Sequence, residues 1–83
     1  MNLKNKQLIS SQVRSIVADA LNLEFDEISL KSSKEEFPEW DSMTYLTIVS
    51  NIEDEFDISI SGENIDKFGS ISQIINEINK WRK

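Results

Sequence analysis

Residues 40–58 read WDSMTYLTIVSNIEDEFDI, and they carry a helical pattern around which the rest of the 83-residue chain can be interpreted. The large apolar residues of this stretch recur at a spacing that places them on one side of a helix, at about 100° per residue. They are Tyr45, Ile48, Val49, Ile52 and Phe56. Because Asp41 is a favourable N-cap, we predict a helix over residues 41–56 that buries this face.

Two other large apolar side chains of this helix point away from the predicted core. Met43 lies about 160° and Leu46 about 100° from Tyr45 around the helix. Ser42 lies beside them at the helix N-terminus, where unpaired N–H groups and the helix dipole favour a phosphate. A serine at such a position usually serves only as a cap. With exposed apolar neighbours and an acidic surrounding sequence, Ser42 becomes a candidate for modification by another protein.

The composition limits the chemistry that this serine can perform. The chain contains no histidine and no cysteine, which excludes disulfides and thiol nucleophiles and removes the commonest general base. Without a histidine to activate it, Ser42 cannot be the nucleophile of a catalytic triad. One domain of residues 1–83 is also small for a core together with a deep catalytic cleft. We therefore predict that the protein is not an enzyme.

Two further segments have the spacing of long helices. Apolar residues at positions 9, 13, 16, 17, 20 and 21 share one face and predict a helix over residues 5–21. Another helix is predicted over residues 71–81, because Ser70 and Gln73 fit a capping box and isoleucines follow at helical spacing. Trp81 is expected to cover the core from the end of this helix.

The segments between these helices contain apolar residues without a sustained period. Residues 22–40 include five that we expect to anchor a long loop to the core, namely Leu23, Phe25, Ile28, Leu30 and Phe37. Residues 62–67 are predicted as a short helix, with Ile65 and Phe68 reaching the core. The expected fold is all-α: a small four-helix bundle with three longer helices, one short third helix and a long loop between the first two helices.

Charge is distributed unevenly along the chain. Residues 35–66 contain ten acidic and no basic residues, whereas the net charge of the whole chain is only −6. Such a field disfavours nucleic acid and anionic membranes and attracts proteins with basic patches. Acids near a helix C-terminus are mildly unfavourable for the helix itself. We therefore predict that Glu53, Asp54, Glu55 and Asp57 take part in docking to partner proteins.

Metal binding and membrane insertion are both disfavoured by the sequence. Residues 57–68 resemble the first half of an EF-hand loop, but Phe68 stands where the loop needs a bidentate glutamate. We predict no metal site. No apolar run approaches the ~20 residues of a membrane span, and the first residues are too polar for a secretory signal. We expect a soluble, cytoplasmic and monomeric protein.

The segment WDSMTYLTIVSNIEDEFDISI, residues 40–60, resembles the Asp-Ser-Leu core of acyl carrier proteins and the helix that follows it. Residues 13–30 (VRSIVADALNLEFDEISL) are similar to the first helix of that family. Residues 65–78 (IDKFGSISQIINEI) are similar to its last two helices. The resemblance covers nearly the whole chain.

This resemblance implies that Ser42 carries 4′-phosphopantetheine, attached from coenzyme A by a separate phosphopantetheinyl transferase, with Asp41 as the helix cap beside it. The thiol of the arm would hold an acyl group as a thioester. Other partners would be a loading ligase or acyltransferase, and downstream biosynthetic enzymes with basic patches. Trp40, Met43 and Leu46 are then candidates for the docking surface beside the arm. For Trp40, packing beneath the preceding loop is the competing interpretation.

The sequence departs from many fatty-acid carriers near the serine. Pro38, Glu39 and Trp40 precede Asp41 where a glycine is frequent, and Thr44 and Thr47 stand where acids are frequent. Met43 replaces the usual leucine. These departures favour a carrier dedicated to a specialised biosynthetic pathway. An aminoacyl or peptidyl carrier and an acidic helical adaptor that is never modified are the alternatives.

Overall fold

A computed structural model describes residues 2–81, with side chains from residue 8 onward. In this range the chain forms three α-helices: α1 (Asn2–Leu21), α2 (Ser42–Phe56) and α3 (Ile71–Trp81). Single 3₁₀ turns lie at Phe25–Glu27, Lys34–Glu36 and Ile65–Lys67. No strand occurs between residues 2 and 81. The all-α prediction is confirmed, and α1 begins at Asn2 rather than at residue 5.

The predicted short third helix is where the architecture differs. In place of a helix over residues 62–67, the chain makes one 3₁₀ turn, Ile65–Lys67, so the described residues form three helices rather than a four-helix bundle. The first turn of a helix fixes several residues for a single hydrogen bond. Phe68 enters the core directly after the 3₁₀ turn and is only 1 % exposed. We infer that the segment is too short to recover the cost of that first helical turn.

The core lies between the three helices, and α1 contacts both α2 and α3. Its fully buried side chains include Val13, Val17, Ile28, Ile48, Ile52, Phe68, Ile71, Ile74 and Ile78. Burying each isoleucine contributes about 1.5–3 kcal/mol to folding. The buried faces of all three helices therefore match the apolar spacing of the sequence. Trp81 is an exception. It is predicted to cover the core, but its side chain is 53 % exposed.

Helices α1 and α2 end in the same way. Asn22 (φ 62°) and Asp57 (φ 56°) adopt the left-handed conformation directly after the last helical turn. The next N–H group then reaches back, from Leu23 to the Ala18 carbonyl (2.9 Å) and from Ile58 to the Glu53 carbonyl (3.2 Å). This is a Schellman arrangement, in which a glycine is the usual left-handed residue. Asn and Asp tolerate the conformation better than other non-glycine residues.

The long connection between α1 and α2 is held to the start of α3 by backbone hydrogen bonds. The Lys34 N–H donates to the Gly69 carbonyl (2.8 Å), and the Ile71 N–H donates to the Ser32 carbonyl (3.0 Å). Ser33 and Ser70 lie opposite each other in this short antiparallel bridge. The bridge fixes the connection that leads into α2.

Two of the five predicted anchors in this connection are wrong. Phe25 and Leu30 are 40 % and 52 % exposed, whereas Ile28 is fully buried. The Phe25 ring lies on the outer surface, where the Arg14 guanidinium covers it at 4.2 Å from the ring centre. Arg14 Nε also donates to the Ile28 carbonyl (2.8 Å). Leu23 and Phe37 are partly buried against the core, as expected.

Candidate functional site

Ser42 is the first residue of α2, and its side chain is exposed. Asp41 is the N-cap that the sequence predicts, since its carboxylate accepts a hydrogen bond from the Thr44 N–H (3.0 Å). The Asp41 carbonyl accepts the first intrahelical bond, from the Tyr45 N–H (2.8 Å). The bond from Thr44 is the main cause that lowers the pKa of Asp41 below its ordinary value. The cap is therefore ionised at neutral pH and holds the helix start in place.

Trp40 anchors this helix start on its other side. Its side chain is only 4 % exposed and belongs to the hydrophobic core. This burial does not support a place for Trp40 on the docking surface and favours the competing interpretation, packing beneath the preceding loop. A signal for this burial is present in the sequence. In a hydrophobic staple, the apolar residue directly before the N-cap packs on the residue four positions after the N-cap. Trp40 and Tyr45 occupy these two positions around Asp41.

Met43 and Leu46 point outward, as their helical angles predict. Their side chains are 78 % and 56 % exposed. They are neighbours on the helix surface at i and i+3, and Leu46 lies one turn beyond Ser42. The first ten residues of α2 carry no charge. On the α2 side, the Ser42 hydroxyl is therefore followed by an uncharged, partly apolar surface, whereas the Asp41 carboxylate lies on its other side.

The four predicted docking acids lie at the opposite end of α2. With a rise of 1.5 Å per residue, they are about 16–22 Å from Ser42 along the helix axis. Two of them accept hydrogen bonds within the protein: Glu53 from the Ile60 N–H (2.8 Å) and Glu55 from the Gln12 side-chain amide (2.9 Å). Asp57 is the left-handed residue that ends the helix, and Asp54 is exposed. The acids and Ser42 therefore do not form one compact site.

Tyr45 connects the Ser42 end of α2 to the segment before α3, a role that sequence analysis did not assign. Its hydroxyl donates to the Ile65 carbonyl (2.6 Å) and accepts from the Phe68 N–H (3.0 Å). Burial is the main cause that raises the pKa of Tyr45, the negative charge of Asp66 adds to it, and the Phe68 bond opposes it. The only sign of this role in the sequence is a tyrosine on the buried face of the helix, because both partners of its hydroxyl are backbone groups.

The indole nitrogen of Trp40 is a buried polar atom without an acceptor among the residues that the structure describes. Buried polar groups in proteins nearly always have a hydrogen-bond partner. Trp40 precedes Ser42 by two residues. The buried indole nitrogen without a partner therefore belongs to a residue close to the candidate serine.

Within the described part of the chain, neither a metal cluster nor a membrane helix is found. Histidine, cysteine, aspartate and glutamate side chains do not gather there in groups of three or more that could hold an ion. Between residues 2 and 81, every helix is too short or too polar to cross a membrane.

The geometry is that of a carrier domain, a protein that presents an attached group instead of transforming it. Ser42 is exposed at a capped helix start, and the chain supplies no histidine that could activate its hydroxyl. The positive end of the helix dipole suits the phosphate of an attached group, although the nearby Asp41 carboxylate occupies the Thr44 N–H. The residues around Ser42 thus fit a phosphate ester that points into solvent.

Comparison with known proteins identifies the family. The family model described as "Phosphopantetheine attachment site" matches residues 11–78. An acyl carrier protein of Clostridium acetobutylicum is 30% identical over 71 residues, which cover 86% of this chain and 92% of the relative. An acyl carrier protein of Buchnera aphidicola is 28% identical over 75 residues, covering 90% of this chain and 95% of the relative.

The chain belongs to the acyl carrier protein family. Proteins of this family are carriers and not enzymes, and the group attached to them is 4′-phosphopantetheine.

Proposed function

We propose that Ser42 is the attachment residue for 4′-phosphopantetheine and that the protein presents an acyl group to partner enzymes as a thioester on this arm. The observation that carries the proposal is the exposed Ser42 hydroxyl at the capped start of α2, in a chain of this family. The protein has no cysteine, so a thiol for carrying the acyl group has to come from the arm.

Attachment would be a phosphoryl transfer from coenzyme A. The Ser42 oxygen forms a bond to the phosphorus next to pantetheine, and the bond from that phosphorus to the bridging pyrophosphate oxygen breaks. Adenosine 3′,5′-bisphosphate leaves with the bond electrons. The hydroxyl proton passes to a base of the transferase, since this chain has no histidine, the commonest general base. The part of the carrier is to hold Ser42 accessible on a rigid helix start.

Met43 and Leu46 are proposed as the contact surface for the transferase and for the enzymes that load and use the carrier. Exposed apolar side chains that lie side by side are typical of protein interaction sites. Asp54, with Glu53, Glu55 and Asp57, would act from the far end of α2 by attracting basic partners over a longer range. The hydrogen bonds of Glu53 and Glu55 leave the negative charges of these side chains in place.

We propose a specialised biosynthetic pathway in the cytoplasm, where coenzyme A is available to the transferase. The uncharged first ten residues of α2 support this proposal, since acids are frequent at Thr44 and Thr47 in carriers of fatty-acid synthesis. A loading ligase or an acyltransferase would supply the acyl group. Loading assays with candidate carboxylic acids and amino acids would identify it.

Intact-mass measurement after incubation with coenzyme A, magnesium and a broad-specificity phosphopantetheinyl transferase tests the attachment. The wild-type protein should gain one phosphopantetheine and one titratable thiol. Ser42→Ala should gain neither. Ser50→Ala, which alters another exposed serine of α2, should behave like the wild type. Equal modification of Ser42→Ala would disprove the site, and an unmodified wild-type protein would favour the adaptor alternative.

A further inference from the structure

The indole N–H of Trp40 is the starting point for a further inference. The side chain is 4 % exposed, and its Nε1 atom is buried without an acceptor among the described residues. A buried indole N–H usually has a hydrogen-bond partner, because leaving the donor unpaired is unfavourable. A buried polar group without a partner in the folded chain calls for an explanation, such as a water molecule or another bound group.

Trp40 is close to the proposed attachment residue by chain length alone. Only Asp41 separates it from Ser42, so the two Cα atoms are within about 7 Å of each other. The helix start between them is ordered by the Asp41 cap. Any long, flexible group on the Ser42 oxygen therefore begins within its own reach of the Trp40 ring.

Several polar groups near Trp40 in the sequence bond to partners other than the indole. The Asp41 carboxylate accepts from the Thr44 N–H, and the Phe37 carbonyl accepts from the backbone N–H of Trp40 itself. One turn further on, the Tyr45 hydroxyl lies between the Ile65 carbonyl and the Phe68 N–H. None of these groups accepts from the indole N–H, which leaves its acceptor to be supplied by an added group.

We propose that the Trp40 indole N–H donates a hydrogen bond to a carbonyl oxygen of the group carried on Ser42. This inference rests on the proposed attachment at Ser42. A neutral carbonyl suits the site better than the phosphate, because placing a charge beside a nearly buried ring is costly. Phosphopantetheine contains two amide carbonyls, and a carried acyl group adds one more. Both sources offer the same acceptor.

The hydrogen bond gives Trp40 a positioning role. Nε1 is covered, so the carbonyl reaches it only when the surrounding side chains part to admit the arm. Once there, the arm lies against the protein near the start of α2 instead of extending into solvent.

Nuclear magnetic resonance of the full chain tests the proposal directly. In ¹⁵N-labelled Trp81→Phe, Trp40 contributes the only indole N–H, because the chain has two tryptophans. Intact mass first establishes that the arm, and then an acyl group, is attached. A downfield shift of the indole proton on addition of the arm identifies an amide carbonyl as the acceptor. A downfield shift only after acylation identifies the acyl carbonyl.

Failure of this inference is distinguishable from failure of the proposed function. A protein that gains no mass contradicts attachment itself. A protein that gains the arm and the acyl group while the indole proton keeps its position overturns the role of Trp40 and leaves the attachment intact.

Stability measurements supply a second readout. In the wild-type background, attachment should raise the folding equilibrium constant about 2–12-fold, the value of one net hydrogen bond. Trp40→Phe keeps an aromatic ring but removes the donor, so its unmodified and modified forms should have the same stability. A purely structural role for Trp40 would instead lower the stability of both forms equally and leave the gain on attachment unchanged, which would overturn the proposal.

Discussion

The Tyr45 hydroxyl joins residues that are far apart in the sequence, and it uses both of its hydrogen-bonding functions to do so. It donates to the Ile65 carbonyl and accepts from the Phe68 N–H, at the two ends of the 3₁₀ turn before α3. Because both partners are backbone groups, the contact does not depend on the side chains at these positions, provided that residue 68 is not proline. One tyrosine therefore holds the segment that replaces the predicted third helix.

Tyr45→Phe should destabilise the protein by roughly 1–3 kcal/mol, since it leaves the Ile65 carbonyl and the Phe68 N–H without their partner. The variant keeps the aromatic ring and so isolates the hydroxyl. Urea unfolding monitored by circular dichroism measures the difference. Thr47→Val is a suitable control, because the Thr47 hydroxyl bonds to the Met43 carbonyl on the exposed surface of α2. An unchanged midpoint for Tyr45→Phe would contradict the bonding role.

Asp41 makes stability depend on pH in acid. Its pKa is lowered chiefly by the Thr44 N–H bond, so the ionised form is favoured in the folded state. The contribution of Asp41 is complete above its ordinary pKa and is lost as pH falls through the lowered value. Asp41→Asn caps a helix without titrating. The stability difference between wild type and Asp41→Asn should therefore change below about pH 4 and stay constant from there to neutrality.

Thermal melts of both proteins across this range measure the effect. A difference that stays constant down to pH 3 would show that the Asp41 carboxylate does not cap α2 in solution.

Among the elements, α2 was the most predictable from sequence because its determinants are local. Its N-cap and its apolar face depend on residues within one or two turns, and both are confirmed. The outward positions of Met43 and Leu46 follow from the same geometry. The left-handed residue that follows α2 is not predicted, because nothing in the sequence distinguishes Asp57 from an ordinary acidic surface residue. The short range of helical interactions explains this success.

Elements that depend on tertiary contacts were predicted less well. Phe25 is as apolar as Phe37, yet only Phe37 packs on the core, and the Phe25 ring lies on the surface under the Arg14 guanidinium. The burial of Trp40 likewise depends on the long connection folding over the core. For the candidate site, the serine and its cap were predictable, whereas the bonds of Tyr45 and Glu53 to backbone atoms leave no mark in the sequence.

Asp57→Gly should stabilise the protein by about 1 kcal/mol, because a glycine adopts the left-handed conformation without the steric cost of a side chain. Removing a negative charge from the C-terminus of α2 acts in the same direction. Asp57→Ala removes the charge but keeps a Cβ atom, and it should lack most of the gain. Chemical denaturation of the two variants separates the backbone effect from charge. Equal stabilities would show that the conformation of Asp57 carries no strain.

At the scale of the whole molecule, the surface of α2 divides into two regions. The α2 residues at the Ser42 end are uncharged and partly apolar apart from the Asp41 cap that precedes them, and the opposite end carries the acids from Glu53 to Asp57. Attraction between exposed charges weakens over about 8–10 Å at physiological ionic strength. This division matches the proposed roles, in which the acids steer a partner towards the helix and the apolar end makes the contact.

Met43→Ala and Leu46→Ala should slow modification by the transferase while changing stability by less than about 0.5 kcal/mol, as is usual for exposed side chains. Ile52→Ala is the matched control on the same helix, since Ile52 is fully buried. That change should cost about 2–5 kcal/mol of stability. Initial rates by mass spectrometry and unfolding by urea give the two measurements. A large loss of stability for Met43→Ala would place that side chain in the core.

The buried Trp40 ring and the Asp41 cap together restrict the movement of Ser42, the residue to which the proposed arm is attached. The region that the end of a flexible arm can reach is set by the length of the arm and by any movement of the residue that carries it. Trp40 in the core and helix α2 hold Ser42 from its two sides. A partner that binds the surface of α2 therefore meets the start of the arm at a fixed place.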